Sequence, residues 1–157
     1  MSKNEKFTIK CAEYKDIPAI AFLFDEYRVF YEQESDLRQA ELFLKERVDK
    51  EQSVIYYAAM KGTDQPIGFV QLYPSFSSIS LQSLWILNDL YVIEEARRSG
   101  AGRALLREAE QMARRTGAKG LTLSTSALNS AAQKLYESEG YKQDTEFWHY
   151  DLLITKY

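Results

Sequence analysis

The chain has 157 residues, 45% apolar and 27% charged, with a formal net charge of −3. These values are typical of a single globular domain over 1–157 and argue against a general nucleic-acid binder. One cysteine and one histidine exclude an intramolecular disulfide and a Cys- or His-rich metal centre, so we expect no metal. Since there is neither an apolar run of about 18 residues nor a secretory leader, we expect a cytoplasmic protein that does not cross a membrane.

The hydrophobic periodicity predicts a mixed α/β chain in the order βααβββαβαβ. Strands are expected at 7–11, 54–60, 67–73, 84–93, 121–125 and 146–154, and helices at 16–32, 36–50, 100–116 and 129–139. The Ser-rich stretch 74–83 is expected to be a surface loop. Such an order is typical of helices packed on a central sheet.

Charge is unevenly distributed along the chain. Residues 97–115 contain six arginines and two glutamates, a net +4, whereas residues 25–51 contain nine acidic and five basic residues, a net −4. The first region could bind an anion and the second could attract a cationic ligand. The alternative is that both are solvated helix faces.

The stretch 90–103, LYVIEEARRSGAGR, leads from a buried strand through an Arg- and Gly-containing turn into a helix. Glycine lets the backbone approach a ligand closely, and a helix N-terminus presents N–H groups to an anion, so a phosphate or pyrophosphate site is predicted. It is not a nucleoside-triphosphate loop, because Gly-x4-Gly-Lys-Ser/Thr is absent. It is not a dinucleotide fingerprint either, because Leu105 stands where the third glycine is needed.

A second motif, NSAAQKLYESEGY, occupies 129–141. Asn129 suits a helix N-cap, a role that is compatible with ligand binding. Tyr136 lies two turns further on and is either a packed core aromatic or a functional hydroxyl.

The pairing of Leu-Tyr-Val and Arg-x-x-Gly-x-Gly with Asn-x-x-Ala-x-x-Leu-Tyr-x-x-x-Gly-Tyr resembles the GNAT superfamily of N-acetyltransferases. The resemblance is specific over 84–141, and the order of elements extends it over nearly the whole chain. It implies a mixed, mostly antiparallel central sheet that is splayed at the fourth strand, with helices on both faces. It also implies acetyl-CoA as cosubstrate, no metal, and a homodimer.

The resemblance implies roles for individual residues. Leu90, Tyr91 and Val92 match the splayed strand that pairs with the pantetheine arm, and the backbone N–H of Val92 would polarise the thioester carbonyl. Asn129 matches a contact to the same arm, and Tyr136 matches the general acid that protonates the departing thiolate. The residues that match the pyrophosphate loop are Arg97, Arg98, Gly100, Ala101, Gly102 and Arg103.

On the acceptor side, the resemblance places Tyr27, Tyr31 and Glu32 by region, because the first two helices usually contribute to this site. The stretch 87–92, LNDLYV, also resembles a strand of polyamine acetyltransferases, in which Glu replaces Asn88 as the candidate base. Asn cannot accept a proton near neutral pH. Asp89 follows, but neighbouring strand residues should point to opposite faces. Asn88 and Asp89 are therefore acceptor-side candidates, and the general base stays open.

The resemblance predicts an acyltransferase that acetylates a primary amine of a small cationic metabolite by direct attack. The alternatives are a protein N-terminus or lysine as acceptor, a non-catalytic CoA-binding sensor or interaction module, and, least favoured by the acidic charge, a nucleic-acid binder. His149 would share a strand face with Phe147 and Asp151. It is most simply structural or at the surface, with a proton relay or dimer contact as the alternative.

Overall fold

The computed structural model describes residues 6–155. Its strands are β1 Phe7–Cys11, β2 Val54–Met60, β3 Pro66–Ser77, β4 Gln82–Val92 and β5 Leu121–Thr122, and its helices are α1 Ile17–Phe30, α2 Leu37–Asp49, α3 Ala101–Arg115 and α4 Ser130–Ser138. By internal contacts the chain divides into two compact units, one ending at Ser124 and the other beginning at Thr125. The single domain over 1–157 therefore stays a prediction.

The five strands form one sheet in the order β1-β2-β3-β4-β5. All neighbours are antiparallel except β4 and β5, which are parallel. Helices α1 and α2 pack on one face, where the Phe24 and Tyr27 rings meet the ring of Phe69 edge-on at 6.1 and 6.0 Å. The other face carries α3, since Leu105 lies against Gly68, the residue before Phe69 on β3. The predicted mixed, mostly antiparallel fold with helices on both faces is confirmed.

The first two helices begin where the sequence predicts. Pro18 lies in the first turn of α1, where a missing N–H costs nothing. The Asp36 carboxylate caps α2 by accepting a hydrogen bond from the Gln39 N–H at 3.1 Å. Their inward residues Ile20 and Leu44 are fully buried, and each such side chain contributes at most about 1.5–3 kcal/mol. This packing fixes the helix pair against the α1 side of the sheet.

The expected loop at 74–83 is wrong, because β3 continues to Ser77 and pairs with β4 as far as Gln82. Pairing of β3 with β2 ends at Leu72, so Pro74 has a strand neighbour on one side only. Proline is tolerated at such an edge because its missing N–H is not needed there. Local Pro and Ser signals therefore concealed a long hairpin.

The expected last strand at 146–154 is also wrong. Residues 142–155 have no helix or strand, and aromatic side chains such as Trp148 are largely exposed. A strand forms only against a partner strand, and the described part of the unit from Thr125 contains the helix α4 but no strand. His149 is exposed, with its Nε2 3.9 Å from Asp144 Oδ2, and does not lie on a strand face with Phe147 and Asp151.

Within residues 6–155, no helix has the length and hydrophobicity that crossing a bilayer would require.

Candidate active site

Strand β4 opens away from its parallel neighbour after Ile86. In the described residues, β5 pairs with β4 only at two positions, the second of which is Ile86. On the other edge, the Ile93 N–H donates to the Ile67 carbonyl at 2.9 Å, and Val92 lies opposite Gly68. Hydrogen-bonded and non-hydrogen-bonded pairs alternate in an antiparallel ladder, so the Val92 N–H points away from β3, toward the open edge. This direction fits the donor role that the resemblance implies for Val92, and its contact with a thioester stays a prediction.

A β-bulge lies in β4 four residues before Val92. Gln71 is opposite Asp89 and Leu72 is opposite Leu87, which leaves Asn88 as an extra residue on β4. The bulge interrupts the alternation of side chains, and both Asn88 and Asp89 line one cavity. The expectation that these two neighbours point to opposite faces is therefore wrong.

The turn between β4 and α3 depends on an unusual backbone. Gly100 precedes α3 with a φ of 93°, and Arg98 has a φ of 62°. The first intrahelical hydrogen bond runs from the Ala104 N–H to the Gly100 carbonyl at 3.0 Å, so the N–H groups of Gly102 and Arg103 precede it. Only glycine adopts the Gly100 conformation without strain. The result is a helix start with the donors and charge that suit a phosphate.

Arg97 is engaged at the end of β4. Its Nε donates to the Val92 carbonyl at 3.1 Å, and its guanidinium lies 5.8 Å from the ring centres of both Tyr91 and Phe30. Arg97 thus ties the end of the opened strand to α1. Its contact with a pyrophosphate stays a prediction, as do those of Arg98, Ala101 and Arg103.

In the unit from Thr125, Asn129 is an N-cap. Its Oδ1 accepts a hydrogen bond from the Ala132 N–H at 3.1 Å, which confirms the capping role and leaves its pantetheine contact a prediction. Tyr136 is half-buried, with its ring centre 5.8 Å from that of Tyr141. Its role as general acid stays a prediction.

A cavity of about 480 Å³ opens between α1, α2, β3 and β4. Of the five residues predicted for the acceptor side, Tyr27, Tyr31, Asn88 and Asp89 line it, whereas Glu32 is exposed beyond the end of α1 and does not. The other lining residues are Phe24, Arg28, Gln33, Gln39, Ala40, Phe43 and Tyr73.

Sequence reasoning missed Arg28 and Tyr73, although both line this cavity. Arg28 lies four residues after Phe24 and three before Tyr31, so helical spacing alone could have placed it on this face. Tyr73 was hidden because β3 was expected to end there.

A chain of buried polar side chains supports Asp89. The Ser53 hydroxyl donates to the Gln71 side-chain oxygen at 2.8 Å, and the Gln71 Nε2 donates to Asp89 at 2.7 Å. Asn88 donates a further hydrogen bond to Asp89 at 3.1 Å.

Burial, with the Asp89 charge as second cause, raises the pKa of Tyr73 to about 12, so Tyr73 is a neutral hydroxyl at physiological pH.

Comparison with known proteins identifies the family. The model of the Acetyltransferase (GNAT) family matches residues 18–141. The chain belongs to the GNAT family. It is 51% identical over 146 residues to an uncharacterized N-acetyltransferase of Bacillus subtilis, covering 93% of this chain and 97% of that protein. A crystal structure of a probable acetyltransferase superposes with a TM-score of 0.91 at 46% identity, covering 96% of this chain and 99% of the other.

A D-amino-acid N-acetyltransferase of Saccharomyces cerevisiae is 29% identical over 144 residues, covering 90% of this chain and 88% of the relative. The family match and the Bacillus subtilis relative show that this GNAT chain is an acyltransferase. The family uses acetyl-CoA as cosubstrate. Two features of this GNAT chain fit that molecule: the open edge of β4 offers backbone groups to an amide-containing arm, and the start of α3 offers N–H groups to a pyrophosphate.

Proposed function

We propose that this GNAT enzyme transfers the acetyl group of acetyl-CoA to the primary amine of a small molecule bound in the cavity. The observation that carries the proposal is the layout of β4. Its bulge directs Asn88 and Asp89 into the cavity, and three residues later Val92 directs its N–H toward the open strand edge. An amine at Asp89 and a thioester along the open edge would thus be held by the same strand, as direct attack in a ternary complex requires.

The residues of the chain would divide the chemistry among them. An alkylammonium has a pKa of about 10.4, so it loses a proton to solvent before attack. As the nitrogen–carbon bond forms, the Val92 N–H stabilises the oxyanion, a contribution of roughly 3–4 kcal/mol. When the carbon–sulfur bond breaks, the Tyr136 hydroxyl gives its proton to the departing thiolate, whose conjugate thiol has a pKa of about 8.5. The attacking nitrogen loses its second proton to solvent, and solvent returns a proton to the Tyr136 phenolate. The products are the acetamide and CoA.

The cosubstrate would lie along Leu90, Tyr91 and Val92, with its pyrophosphate at the Arg- and Gly-containing turn before α3. Tyr91 is held for this role by its hydroxyl, which donates to Glu26 at 3.4 Å. Burial, and next the Glu26 charge, raise the pKa of Tyr91, which keeps that hydroxyl protonated. Asn129 would contact the pantetheine arm with its amide nitrogen, since its Oδ1 caps α4.

A small-molecule acceptor is supported over a protein acceptor by the cavity and by one relative. A volume of about 480 Å³ falls within the roughly 300–1,000 Å³ typical of ligand pockets. The yeast relative is named for D-amino acids, which are small molecules with a primary amine. A protein N-terminus or lysine, and a CoA sensor without turnover, are the alternatives. Homodimerisation and a cytoplasmic location stay predictions.

The test is an incubation of the purified protein with acetyl-CoA and a pool of polyamines, aminoglycosides and amino acids. Release of free thiol together with one acetylated amine, read by its mass shift, is expected. The same assay with an intact-protein library tests the protein acceptor. Acetyl-CoA binding without thiol release in either assay would contradict the proposal and favour the sensor.

A further inference from the structure

The side chains that line the cavity include one carboxylate and one guanidinium, Asp89 of β4 and Arg28 of α1. The remaining lining residues are aromatic rings, amides and one alanine. A cavity intended for a ligand with several ammonium groups would carry several acidic side chains. This cavity instead offers one carboxylate and one guanidinium together with aromatic rings.

Asp89 meets no basic side chain in the described part of the chain. It is only 5% exposed, and its hydrogen-bond donors are the neutral amides of Gln71 and Asn88. Gln71 is fully buried, and its side-chain oxygen accepts a hydrogen bond from the Ser53 hydroxyl. A buried carboxylate is costly unless a cation accompanies it, and the cavity is the side from which a ligand ammonium can supply that cation.

Arg28 is placed in the complementary way. It is half-buried, and the partner that the structure gives it within residues 6–155 is the backbone carbonyl of Glu34, at 3.4 Å. A guanidinium has five N–H donors arranged to grip a carboxylate with two parallel hydrogen bonds. One weak contact to a carbonyl leaves most of that capacity for a ligand carboxylate.

The acidic residues of 25–51 do not line the cavity. Asp25 accepts hydrogen bonds from the Ser35 hydroxyl and the Asp36 N–H, which fixes the turn between α1 and α2. Glu41 pairs with Lys45 on the surface of α2, and Glu46 pairs with Lys50. Because none of the acidic residues of 25–51 lines the cavity, the net −4 of this region does not make the cavity a site for a polycation.

We propose that the acceptor is a free amino acid with an aromatic or large apolar side chain. Its ammonium would meet Asp89, its carboxylate would meet Arg28, and its side chain would pack on Phe24, Tyr27 and Phe43. This inference rests on the proposed function and narrows its acceptor. It separates a free amino acid from a polyamine, whose second ammonium Arg28 would repel, and from a peptide N-terminus, which carries no carboxylate beside the amine.

The experiment compares three acceptors that share a primary amine: phenylalanine in both enantiomers, phenethylamine, which lacks only the carboxylate, and spermidine. The kcat/KM of each is measured for the wild type, for Arg28→Gln, and for Arg38→Gln. Arg38 is an exposed arginine of α2 that does not line the cavity, so it is the matched control. Turnover of phenethylamine by Arg28→Gln verifies that this variant is folded.

We expect the wild type to prefer one phenylalanine enantiomer over phenethylamine by at least about tenfold, the value of one charge-assisted contact. Arg28→Gln should reduce this ratio to near one, and Arg38→Gln should preserve it. Acetylation of phenethylamine or spermidine as well as or better than phenylalanine would overturn the inference and leave the transferase standing. A ratio that Arg28→Gln does not change would also overturn it. Failure to acetylate any of these three amines would overturn the inference, and the proposed function falls only if the pool of polyamines, aminoglycosides and amino acids also gives no acetylated product.

Discussion

The turn that precedes α3 and the cavity beside α1 both concentrate charge, but they are assembled in different ways. The turn is continuous in sequence from 97 to 103 and presents mainly backbone groups whose direction follows from the Gly100 conformation. The cavity gathers side chains from two helices and two strands, of which Arg28 and Asp89 are far apart in sequence. A backbone site tolerates change in side chains, whereas a side-chain site changes its ligand when one residue changes. We therefore expect the cosubstrate side to be common to the family and the acceptor side to be particular to this chain.

The largest effect is expected from Tyr136→Phe. Loss of a general acid lowers kcat by about 10²- to 10⁴-fold, and the loss should be similar for every acceptor, because the thiolate is the same in each reaction. Steady-state rates with two unlike amines check this. The control is Tyr150→Phe, which removes a hydroxyl from a largely exposed tyrosine of the same unit. Full turnover by Tyr136→Phe would remove the assigned acid from the mechanism.

Asp89→Asn should have the next largest effect, and it sharpens the comparison because it acts on the acceptor side only. Loss of the carboxylate should lower kcat/KM for the amine by about 10- to 100-fold, with the KM for acetyl-CoA nearly unchanged. The control is Asp64→Asn, an exposed carboxylate that pairs with Lys10 at 3.1 Å. Equal changes in both KM values would contradict the division between the two sides.

Gly68→Ala tests the strand that joins both sides. A Cβ at Gly68 would lie 2.9 Å from the Tyr91 carbonyl oxygen and 3.0 Å from a Val92 methyl group, so β4 must shift. We expect a loss of about 1–3 kcal/mol in unfolding free energy and weaker binding of both substrates. Gly120→Ala is the control, because a Cβ there meets nothing within 4 Å. Denaturant unfolding and two KM values measure the outcome, and a stable Gly68→Ala enzyme with normal KM values would show that this close contact is unimportant.

The smallest effect is expected at alkaline pH, from Tyr73 on the acceptor side. Its pKa is raised from 10.0 to about 12, so the folded state holds the hydroxyl proton more tightly than the unfolded state does. This stabilisation is complete below pH 10 and is lost as the pH rises through 12. Melting temperatures across that range should fall less for Tyr73→Phe than for the wild type, while Tyr150→Phe should follow the wild type. Parallel decline of all three proteins would refute the shift.

Much of this protein is determined by local sequence. The bounds of β1 and β2 agree with the predicted strands, and α2, α3 and α4 agree to within a residue or two, because apolar spacing and end signals act over a few neighbouring residues. The family is determined in the same way. Its motif consists of a turn and two helix starts, and each is short enough for the chain to specify without distant contacts.

Tertiary structure alone decided the rest. The bulge at Asn88 exists only in the register of β4 against β3. No pattern within 87–92 could therefore reveal that Asn88 and Asp89 line the same cavity. The extension of β3 past Pro74 also required a pairing partner. The aromatic stretch 146–154 shows the converse, because its composition predicts a strand and none forms there. Side-chain sites between elements depend on pairing and packing over long separations, and for that physical reason the acceptor cavity had to be read from the folded chain.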